Sequence, residues 1–547
     1  MKNRSYPYYD IQEVGNLREL VEAGKRNGRD KTAFYKGAGN DEPLSFGEVN
    51  SLIEQAGTLL LRQGLRSCNI AILGENSTEW VLSFFAVVNS GNTAVPLDTG
   101  LDAAELARLA RHCECKAVFY SKRYSSIAES FTSPGSGQEQ PFMFRIEDFY
   151  AYAEDGKAMI EAGFTDFADE SVSGDTLASI VYTSGTSGKK KGVMLTHGNL
   201  ASDAVATCRC VTAGNSQLLL PLHHTFSWAS AMFAAFLYNK DLHISGNLRH
   251  ILQDMKTYRP QNVSTVPMMA EMLYKGIRSN ARKTGREKQL RGFMALSHVL
   301  MKLGIDVRRN LFRQVHEGFG GALELIICGG APLDTDIQKA LYDLGINVIC
   351  GYGITECSPV VAVNRNHDFR FGSVGKALPC NKIRIDDPDE HGIGEICVSG
   401  SNVMKGYYKD PEATAEAFDG EWFRTGDYGR LDEDGFLYIS GRKKNLIILS
   451  NGENISPEEL EEKLRKIEYV SEVAVYEEDG AITAEFYLDG KTGPEVRSLL
   501  DDDVKRFNRS VSQSRRITKV RLRDTPFEKT TTMKIKRHAI SNKGAEK

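Results

Sequence analysis

The residues with the clearest chemical potential lie between Ile180 and Val193, where an apolar stretch runs into a loop of glycine, serine and threonine. Three consecutive lysines, Lys189–Lys191, follow the loop. Glycines let backbone N–H groups approach phosphate oxygens, hydroxyl groups add hydrogen-bond donors, and lysine supplies positive charge. The pattern therefore predicts a strand followed by a polyphosphate-binding loop with these candidate contacts: Thr183, Ser184, Gly185, Thr186, Ser187, Gly188 and Lys191.

This loop does not match the phosphate loop of Walker-type ATPases. That loop requires glycine five positions before its Gly-Lys pair and serine or threonine directly after the pair. Thr183 and Lys190 occupy those two positions here, so the Walker interpretation fails. An ordinary polar surface loop is disfavoured because the pattern is long and follows a buried type of strand.

Strands and helices that can position the loop alternate from residue 69 onward. Alternation of this kind predicts a parallel sheet with helices on its faces. The 547 residues, of which 41% are hydrophobic and 26% charged, suffice for several structural units with sizeable cores. The predicted strands are Asn69–Leu73, Thr93–Leu97 and Lys116–Tyr120, and the predicted helices are Thr78–Ser90 and Asp102–Glu114.

The last hundred residues predict a small α+β domain of the ferredoxin-like type, with the element order β-α-β-β-α-β. We expect the domain boundary near Gly441–Asn445, which gives domains at 1–441 and 442–547. The predicted strands are Leu446–Leu449, Val470–Tyr476, Ile482–Tyr487 and Thr518–Leu522, and the predicted helices are Pro457–Arg465 and Pro494–Phe507.

Composition excludes several classes of protein. A net charge of −4 gives no general attraction to nucleic acid, and the first ten residues contain no apolar signal-peptide core. The longest apolar stretches, near Trp80–Val88 and Trp228–Tyr238, are too short to cross a bilayer. The ten cysteines lack metal-site spacing, so we expect a reduced, cytoplasmic protein. The basic segment Arg282–His316 predicts a solvated helix face or, less favoured, a peripheral membrane contact.

Seven collinear motifs resemble those of the adenylate-forming superfamily, which includes acyl-CoA synthetases, peptide-synthetase adenylation domains and firefly luciferase. The resemblance implies an α/β fold: a large N-terminal domain of parallel-rich sheets with helices on both faces, and a small mobile ferredoxin-like C-terminal domain. The motifs are Tyr182–Gly192, Pro221–His224, Gly329–Leu333, Gly351–Glu356, Trp422–Asp427, Gly441–Lys444 and Lys534–Arg537.

The activity implied by the resemblance is an AMP-forming acid:CoA ligase that uses ATP and Mg²⁺. A substrate carboxylate would attack the α-phosphorus of ATP and release pyrophosphate, and the CoA thiolate would then attack the acyl-adenylate and release AMP. Because two anions must meet in the first step, catalysis depends on positive charge and oriented donors rather than on a protein nucleophile.

For the phosphates and the metal, the resemblance implies roles for four residues. Glu356 and Thr183 would be magnesium ligands, which suits the preference of Mg²⁺ for oxygen donors. Thr355 would contact the α-phosphate, and Lys191 would supply charge to the phosphates.

For the nucleoside, the resemblance implies stacking of adenine on Tyr352. Asp427 would accept hydrogen bonds from the ribose hydroxyls, a task suited to an acceptor-only carboxylate. Arg442 would reach the ribose or a phosphate. The residues lining the adenine site would be Gly329, Gly330, Ala331 and Gly353.

Two lysines near the C-terminus have implied roles in the reaction cycle. Lys534 would be the adenylation lysine that bridges the carboxylate and the α-phosphate. Met533 replaces the glycine usual in that motif, and Lys529 and Lys536 are the alternatives. Lys444 matches the hinge position about which the small domain would rotate between the two half-reactions.

The acid is the least specified part of the prediction. His224 matches a residue that guards the acid pocket, and Trp228 matches a gating tryptophan or is an ordinary core residue. No acidic residue stands out between Leu219 and Ser230 to hold an amine, which disfavours an amino acid. The stretch Gly441–Pro457 resembles the fatty-acyl branch of the superfamily, and the long insertion Arg282–His316 points the same way, so the resemblance favours a medium- or long-chain fatty acid. An aryl or branched acid, a separate carrier protein as acceptor, a luciferase-like oxygenase and a non-catalytic sensor remain alternatives.

Overall fold

The computed structural model describes residues 6–36, 42–131, 140–184, 190–246, 250–448, 454–478, 480–488, 493–531, 534–537 and 540. The chain divides into two compact units. The first contains Met1–Lys382 and Val398–Phe423, and the second contains Ile383–Cys397 and Arg424–Lys547. The functional boundary at residue 441 stays a prediction.

The first sheet of the large unit carries the predicted phosphate loop. All five elements predicted between residues 69 and 120 are present, with ends that differ by at most two residues, and the strands are parallel as expected. The two strands that flank the loop pair antiparallel. In spatial order the seven strands are Gly406–Tyr407, Lys190–Thr196, Leu177–Ser184, Thr93–Pro96, Asn69–Leu73, Ala117–Tyr120 and Phe142–Arg145.

The second sheet of the large unit is also rich in parallel pairs. Its first five strands run parallel, and the last two pair antiparallel. In spatial order they are Leu242–Ile244, Ser216–Leu218, Asn262–Thr265, Leu325–Cys328, Asn347–Gly353, Val360–Val363 and Lys376–Ala377. A separate antiparallel pair joins Thr32–Tyr35 to Pro43–Ser45.

Helices pack against these sheets, and their starts follow local capping chemistry. The helix Thr78–Asn89 begins after Ser77, whose hydroxyl accepts the Trp80 N–H at 3.0 Å. No helix in the described ranges is long and apolar enough to cross a bilayer. The other α-helices of the large unit are Leu17–Gly28, Phe46–Arg62, Ala103–His112, Ser125–Glu129, Phe149–Glu161, Asp166–Asp169, His197–Cys210, Thr225–Ser227, Phe233–Tyr238, Ile251–Tyr258, Pro267–Lys283, Glu287–Lys302, Arg308–Leu311, Arg313–Gly318, Thr335–Asp343 and Pro411–Ala417.

A third sheet holds the predicted ribose motif. Its strands in spatial order are Asn381–Asp386, Gly394–Gly400, Trp422–Leu431 and Phe418–Asp419, and Leu437–Arg442 also pairs with Trp422–Leu431. That last pairing is antiparallel and sets Asp427 opposite Arg442. The two residues that the motifs assign to the ribose therefore meet across one strand pair.

The C-terminal part differs from the ferredoxin-like prediction in its first strand. All six predicted elements are present, with helices Pro457–Leu464 and Pro494–Ser510, and an additional strand, Asn454–Ile455, lies between the first strand and the first helix. However, Ile447–Ile448 pairs with Asn454–Ile455 in a separate two-stranded sheet. In the part of the domain that the structure describes, the main sheet has three strands: Glu472–Glu478, Ala481–Tyr487 and Lys519–Arg523.

The physical reason for this difference lies close to the first strand in sequence. Ile455 follows Ile447 by only eight residues and is equally buried, so the two apolar residues can pair locally and pack on the same core. A local antiparallel pair closes a short loop and costs less chain entropy than pairing with a distant strand.

Candidate active site

The two strands flanking the phosphate loop bring Thr183 and Lys191 together. Thr183 lies opposite Lys191, and Ser184 lies opposite Lys190 in the same antiparallel pair. Gly185, Thr186, Ser187 and Gly188 lie outside the described residues. Their phosphate contacts stay a prediction.

Tyr182, one residue before Thr183, is fixed by a polar cluster that sequence reasoning missed. Its hydroxyl lies 2.6 Å from His112 Nδ1 and 3.1 Å from Cys113 Sγ. Burial, followed by the charge of a Cys113 thiolate, raises the pKa of Tyr182 well above its usual value. Tyr182 is therefore a neutral anchor at the base of the loop.

Glu356 and Lys191 are connected through Tyr407, another residue that the sequence did not single out. The Lys191 ammonium lies 4.5 Å from the centre of the Tyr407 ring, and the Tyr407 hydroxyl donates to Glu356 Oε1 at 3.0 Å. The strand Gly406–Tyr407 pairs with Lys190–Thr196, which explains this placement. The Glu356 carboxylate, predicted to bind Mg²⁺, and the Lys191 ammonium, predicted to contact the phosphates, therefore both contact Tyr407.

A buried amide and carboxyl hold the segment that carries Glu356. Asp203 accepts from the Val360 N–H at 3.0 Å and from Asn402 Nδ2 at 3.1 Å, and both polar side chains are fully buried. Asn402 also donates to the carbonyls of Cys357 and Val360. Burial raises the pKa of Asp203. This network fixes both ends of the turn that follows Glu356.

At two glycines of the predicted adenine site, Gly329 and Gly353, the surrounding atoms leave no space for a side chain. A Cβ at Gly329 would lie 2.9 Å from the Phe226 ring, and a Cβ at Gly353 would lie 2.3 Å from the Pro359 carbonyl oxygen. Gly330 has φ +86°, a conformation that favours glycine. Tyr352 is buried beside them, whereas Ala331 is exposed.

An apolar cavity begins at this predicted adenine site. None of the nineteen described residues that line it is Asp, Glu, Lys, Arg or His. Its lining joins the strand ends near Gly329 and Tyr352 to the helices that bear Thr207 and Ala234. An uncharged group fits such a lining better than a charged one does.

His224 and Trp228 lie apart from the lining of this cavity. His224 borders a second, smaller cavity with His223, Asp98 and Lys190, and His223 Nε2 lies 3.2 Å from Asp98 Oδ1. Trp228 is fully buried, and its indole N–H donates to the Leu222 carbonyl at 2.7 Å. This packing is that of a core tryptophan, and its gating role stays a prediction. Phe226, which lines the apolar cavity against Gly329, was missed because an isolated phenylalanine has no distinguishing signal.

In the second unit, Asp427 and Arg442 form an ion pair. Arg442 Nε lies 2.8 Å from Asp427 Oδ1, and Asp427 is only 4% exposed. The Asp427 N–H donates to Thr425 Oγ1 at 3.0 Å, which holds the turn. The pair is therefore oriented before any ligand binds.

Lys534 and Lys444 both lie within the electrostatic influence of this pair. Residue 534 is exposed. Desolvation by the surrounding protein, followed by repulsion from Arg442, lowers the pKa of Lys534, and Asp427 opposes the shift. The pKa of Lys444 is lowered by the same causes in the same order.

Partly buried ion pairs anchor the segment around Lys534. Lys529 Nζ lies 2.5 Å from Glu472 Oε1, and Arg537 Nη2 lies 2.8 Å from Glu461 Oε1. Lys529 is thus used structurally, which favours Lys534 over it as the reactive lysine.

The fold and these motifs define the adenylate-forming class of enzyme. The family model for AMP-binding enzymes matches residues 20–408, and the chain belongs to that family.

The chain is similar to named enzymes over most of its length. A long-chain-fatty-acid–CoA ligase of Mycobacterium bovis, FadD15, is 27% identical over 98% of this chain and 97% of its own. Long-chain-fatty-acid–CoA ligase 1 of Cavia porcellus is 30% identical over 80% of this chain and 68% of its own. The o-succinylbenzoate CoA synthetase of Bacillus subtilis, solved with its acyl-adenylate, shares the fold with a TM-score of 0.74 at 22% identity, covering 97% of this chain and 98% of its own.

Proposed function

We propose that this chain is an ATP-dependent acid:CoA ligase whose substrate is a medium- or long-chain fatty acid. The observation that carries the choice of acid is the apolar cavity, because its lining offers no charged partner for an amine or a second carboxylate. It begins at Gly329 and Tyr352, so a chain bound there would present its carboxylate towards the nucleotide site. The ten free cysteines fit a reducing compartment, which supports a cytoplasmic location.

In the proposed first step, a carboxylate oxygen attacks the α-phosphorus, the bond from that phosphorus to the β-phosphate bridging oxygen breaks, and pyrophosphate leaves. Lys534 reduces the repulsion between the two anions, while Lys191 and the phosphate loop hold the departing phosphates. Asp427 holds the ribose, and Tyr352 stacks on adenine. Arg442 orients Asp427 through the observed ion pair.

The donor set fits a magnesium ion held mainly by the nucleotide. Mg²⁺ is usually held by one or two carboxylates together with substrate phosphates, and Glu356 offers one carboxylate close to Lys191, the two being linked through Tyr407. We propose Glu356 and Thr183 as its ligands. Bound there, Mg²⁺ would neutralise charge that develops on the phosphates.

In the proposed second step, the CoA thiolate attacks the acyl carbon and the acyl–oxygen bond to AMP breaks. Rotation about Lys444 would exchange the face of the small domain that carries Lys534 for a face that admits CoA.

Fixing the backbone at the hinge should separate the two steps. Lys444→Pro restricts φ, so adenylation should persist while thioester formation falls roughly 100-fold. Lys444→Ala removes the side chain but not the backbone freedom and should retain both steps. Rapid-quench measurement of acyl-adenylate and acyl-CoA would distinguish them; equal loss of both steps in Lys444→Pro would exclude the hinge role.

Filling the apolar cavity should change the preferred chain length. Ala234→Phe places a ring in the space for the acyl chain, and each methylene excluded from burial costs ~0.8 kcal/mol. We expect kcat/KM for the longest accepted acid to fall about tenfold or more, with shorter acids much less affected. Ala162→Phe, at an exposed position, is the matched control. An unchanged chain-length profile in Ala234→Phe would show that the acid binds elsewhere.

The proposed substrate class is tested by product analysis. The enzyme is incubated with ATP, Mg²⁺, CoA and a panel of fatty, aryl, branched and amino acids, and thioesters are identified by mass spectrometry. The proposal expects fatty acyl-CoA as the main product. Preferred formation of an aryl or aminoacyl thioester would contradict it, and transfer only to a carrier protein would replace CoA as the acceptor.

A further inference from the structure

An unusual concentration of exposed apolar side chains lies at the end of the helix Glu287–Lys302. Of the thirteen large hydrophobic residues exposed in the described chain, four fall within ten residues. They are Leu296, Val299, Leu303 and Ile305, with exposed fractions of 48%, 55%, 69% and 50%. Contiguous exposed apolar residues usually mark a contact surface.

The internal packing of this helix does not account for these side chains. Leu296, Val299 and Leu303 have the spacing of one helix face. The opposite face is already packed, because Ser297 is fully buried and its hydroxyl donates to the Asp343 carbonyl at 2.8 Å. The helix therefore has one face packed against the protein and an apolar face turned towards solvent.

The segment that bears the exposed face is rich in basic residues. Residues 282–316 contain nine Lys or Arg and two Asp or Glu, a net charge of +7 in a chain whose total is −4. One of the two acids, Glu287, already contacts Arg278, Arg282 and Arg291. Lys288 and Lys302 are exposed at the two ends of the helix. We call the side chains of Lys288, Leu296, Val299, Lys302, Leu303 and Ile305 the 288–305 ridge.

We propose that the 288–305 ridge binds the surface of an anionic lipid bilayer. Apolar side chains flanked by lysines suit the boundary between headgroups and acyl chains, and basic residues near such a surface gain attraction from its negative potential. A second copy of the chain is the less suitable occupant, because a symmetric contact would bring two +7 segments together. The proposal of membrane binding rests on this surface alone. That membrane binding would give the enzyme access to fatty acid in the bilayer rests on the proposed function.

Vesicle co-sedimentation of the full-length protein tests the ridge. Vesicles of phosphatidylcholine are compared with vesicles that also contain phosphatidylglycerol. We expect the wild type to bind only the anionic vesicles. Two double variants, Leu296→Asp with Val299→Asp and Lys288→Glu with Lys302→Glu, should each bind these vesicles about tenfold more weakly. Leu499→Asp, an exposed helical leucine elsewhere, is the control for added charge.

The proposal would be overturned if either double variant bound vesicles as tightly as the wild type, or if the wild type bound both vesicle types equally. It would also be overturned if the wild type formed a dimer that the double variants could not form while they still bound vesicles. Ligase activity towards a water-soluble acid, measured without vesicles, should be unchanged in both double variants because the ridge is exposed and outside the proposed site. Failure of the proposed function would instead remove that activity from the wild type and leave vesicle binding intact.

Discussion

Replacement of Lys534 by alanine should abolish adenylation while sparing the second half-reaction. The Lys534 ammonium is proposed to bridge the carboxylate and the α-phosphate, where a preorganised positive charge lowers the barrier most. We expect acid-dependent ATP–pyrophosphate exchange to fall roughly 10³-fold, the upper range for loss of one such group. Thioester formation from a supplied acyl-adenylate should remain within a few-fold of the wild-type rate.

Lys536→Ala, two residues away, is the matched control and should retain exchange. Lys529→Ala is unsuitable because Lys529 forms a largely buried ion pair with Glu472 and its loss would destabilise the segment. Full exchange in Lys534→Ala, or loss of exchange in Lys536→Ala alone, would assign the reactive role to another lysine.

The second large effect is expected for Glu356→Gln. This change preserves the shape of the side chain and its contact with Tyr407, but it removes the charge proposed to hold Mg²⁺. Adenylation should fall roughly 100-fold at saturating acid. The Mg²⁺ concentration for half-maximal exchange should rise about tenfold or more, since a metal ligand has been weakened.

Glu416→Gln removes an exposed carboxylate from the helix Pro411–Ala417 and is the control for net charge. Thermal unfolding of both variants should match the wild type. An unchanged Mg²⁺ dependence in Glu356→Gln, whatever its rate, would exclude Glu356 as a magnesium ligand.

The parts of the fold that local patterns determine were predictable from the sequence. The strand Asn69–Leu73 is an apolar run, and the helix Thr78–Asn89 has helical periodicity, so both were located to within a residue. The pairing of the first strand of the C-terminal domain with Asn454–Ile455 was not predictable, because strand pairing is decided by which partner lies within reach and not by the strand itself.

The candidate site, too, was predictable only where its residues belong to local motifs. Motif residues such as Glu356 and Asp427 were named from the sequence, since their spacing is local. The residues that hold these motif residues in place were not named from the sequence. Tyr407 contacts Glu356, and Asn402 contacts the turn after it, across about 50 residues of chain. An isolated tyrosine or asparagine has no periodicity or spacing that would single it out, and its role exists only once the strands have paired.

The central claim is that the acid is activated by forming a bond to the α-phosphorus of ATP. A fatty acid labelled with ¹⁸O in its carboxylate tests this directly. In the proposed chemistry the attacking oxygen stays on phosphorus when the thiolate breaks the acyl–oxygen bond, so mass spectrometry should find one ¹⁸O atom in each AMP released with the thioester. Unlabelled AMP, or ADP with the label in inorganic phosphate, would contradict the account.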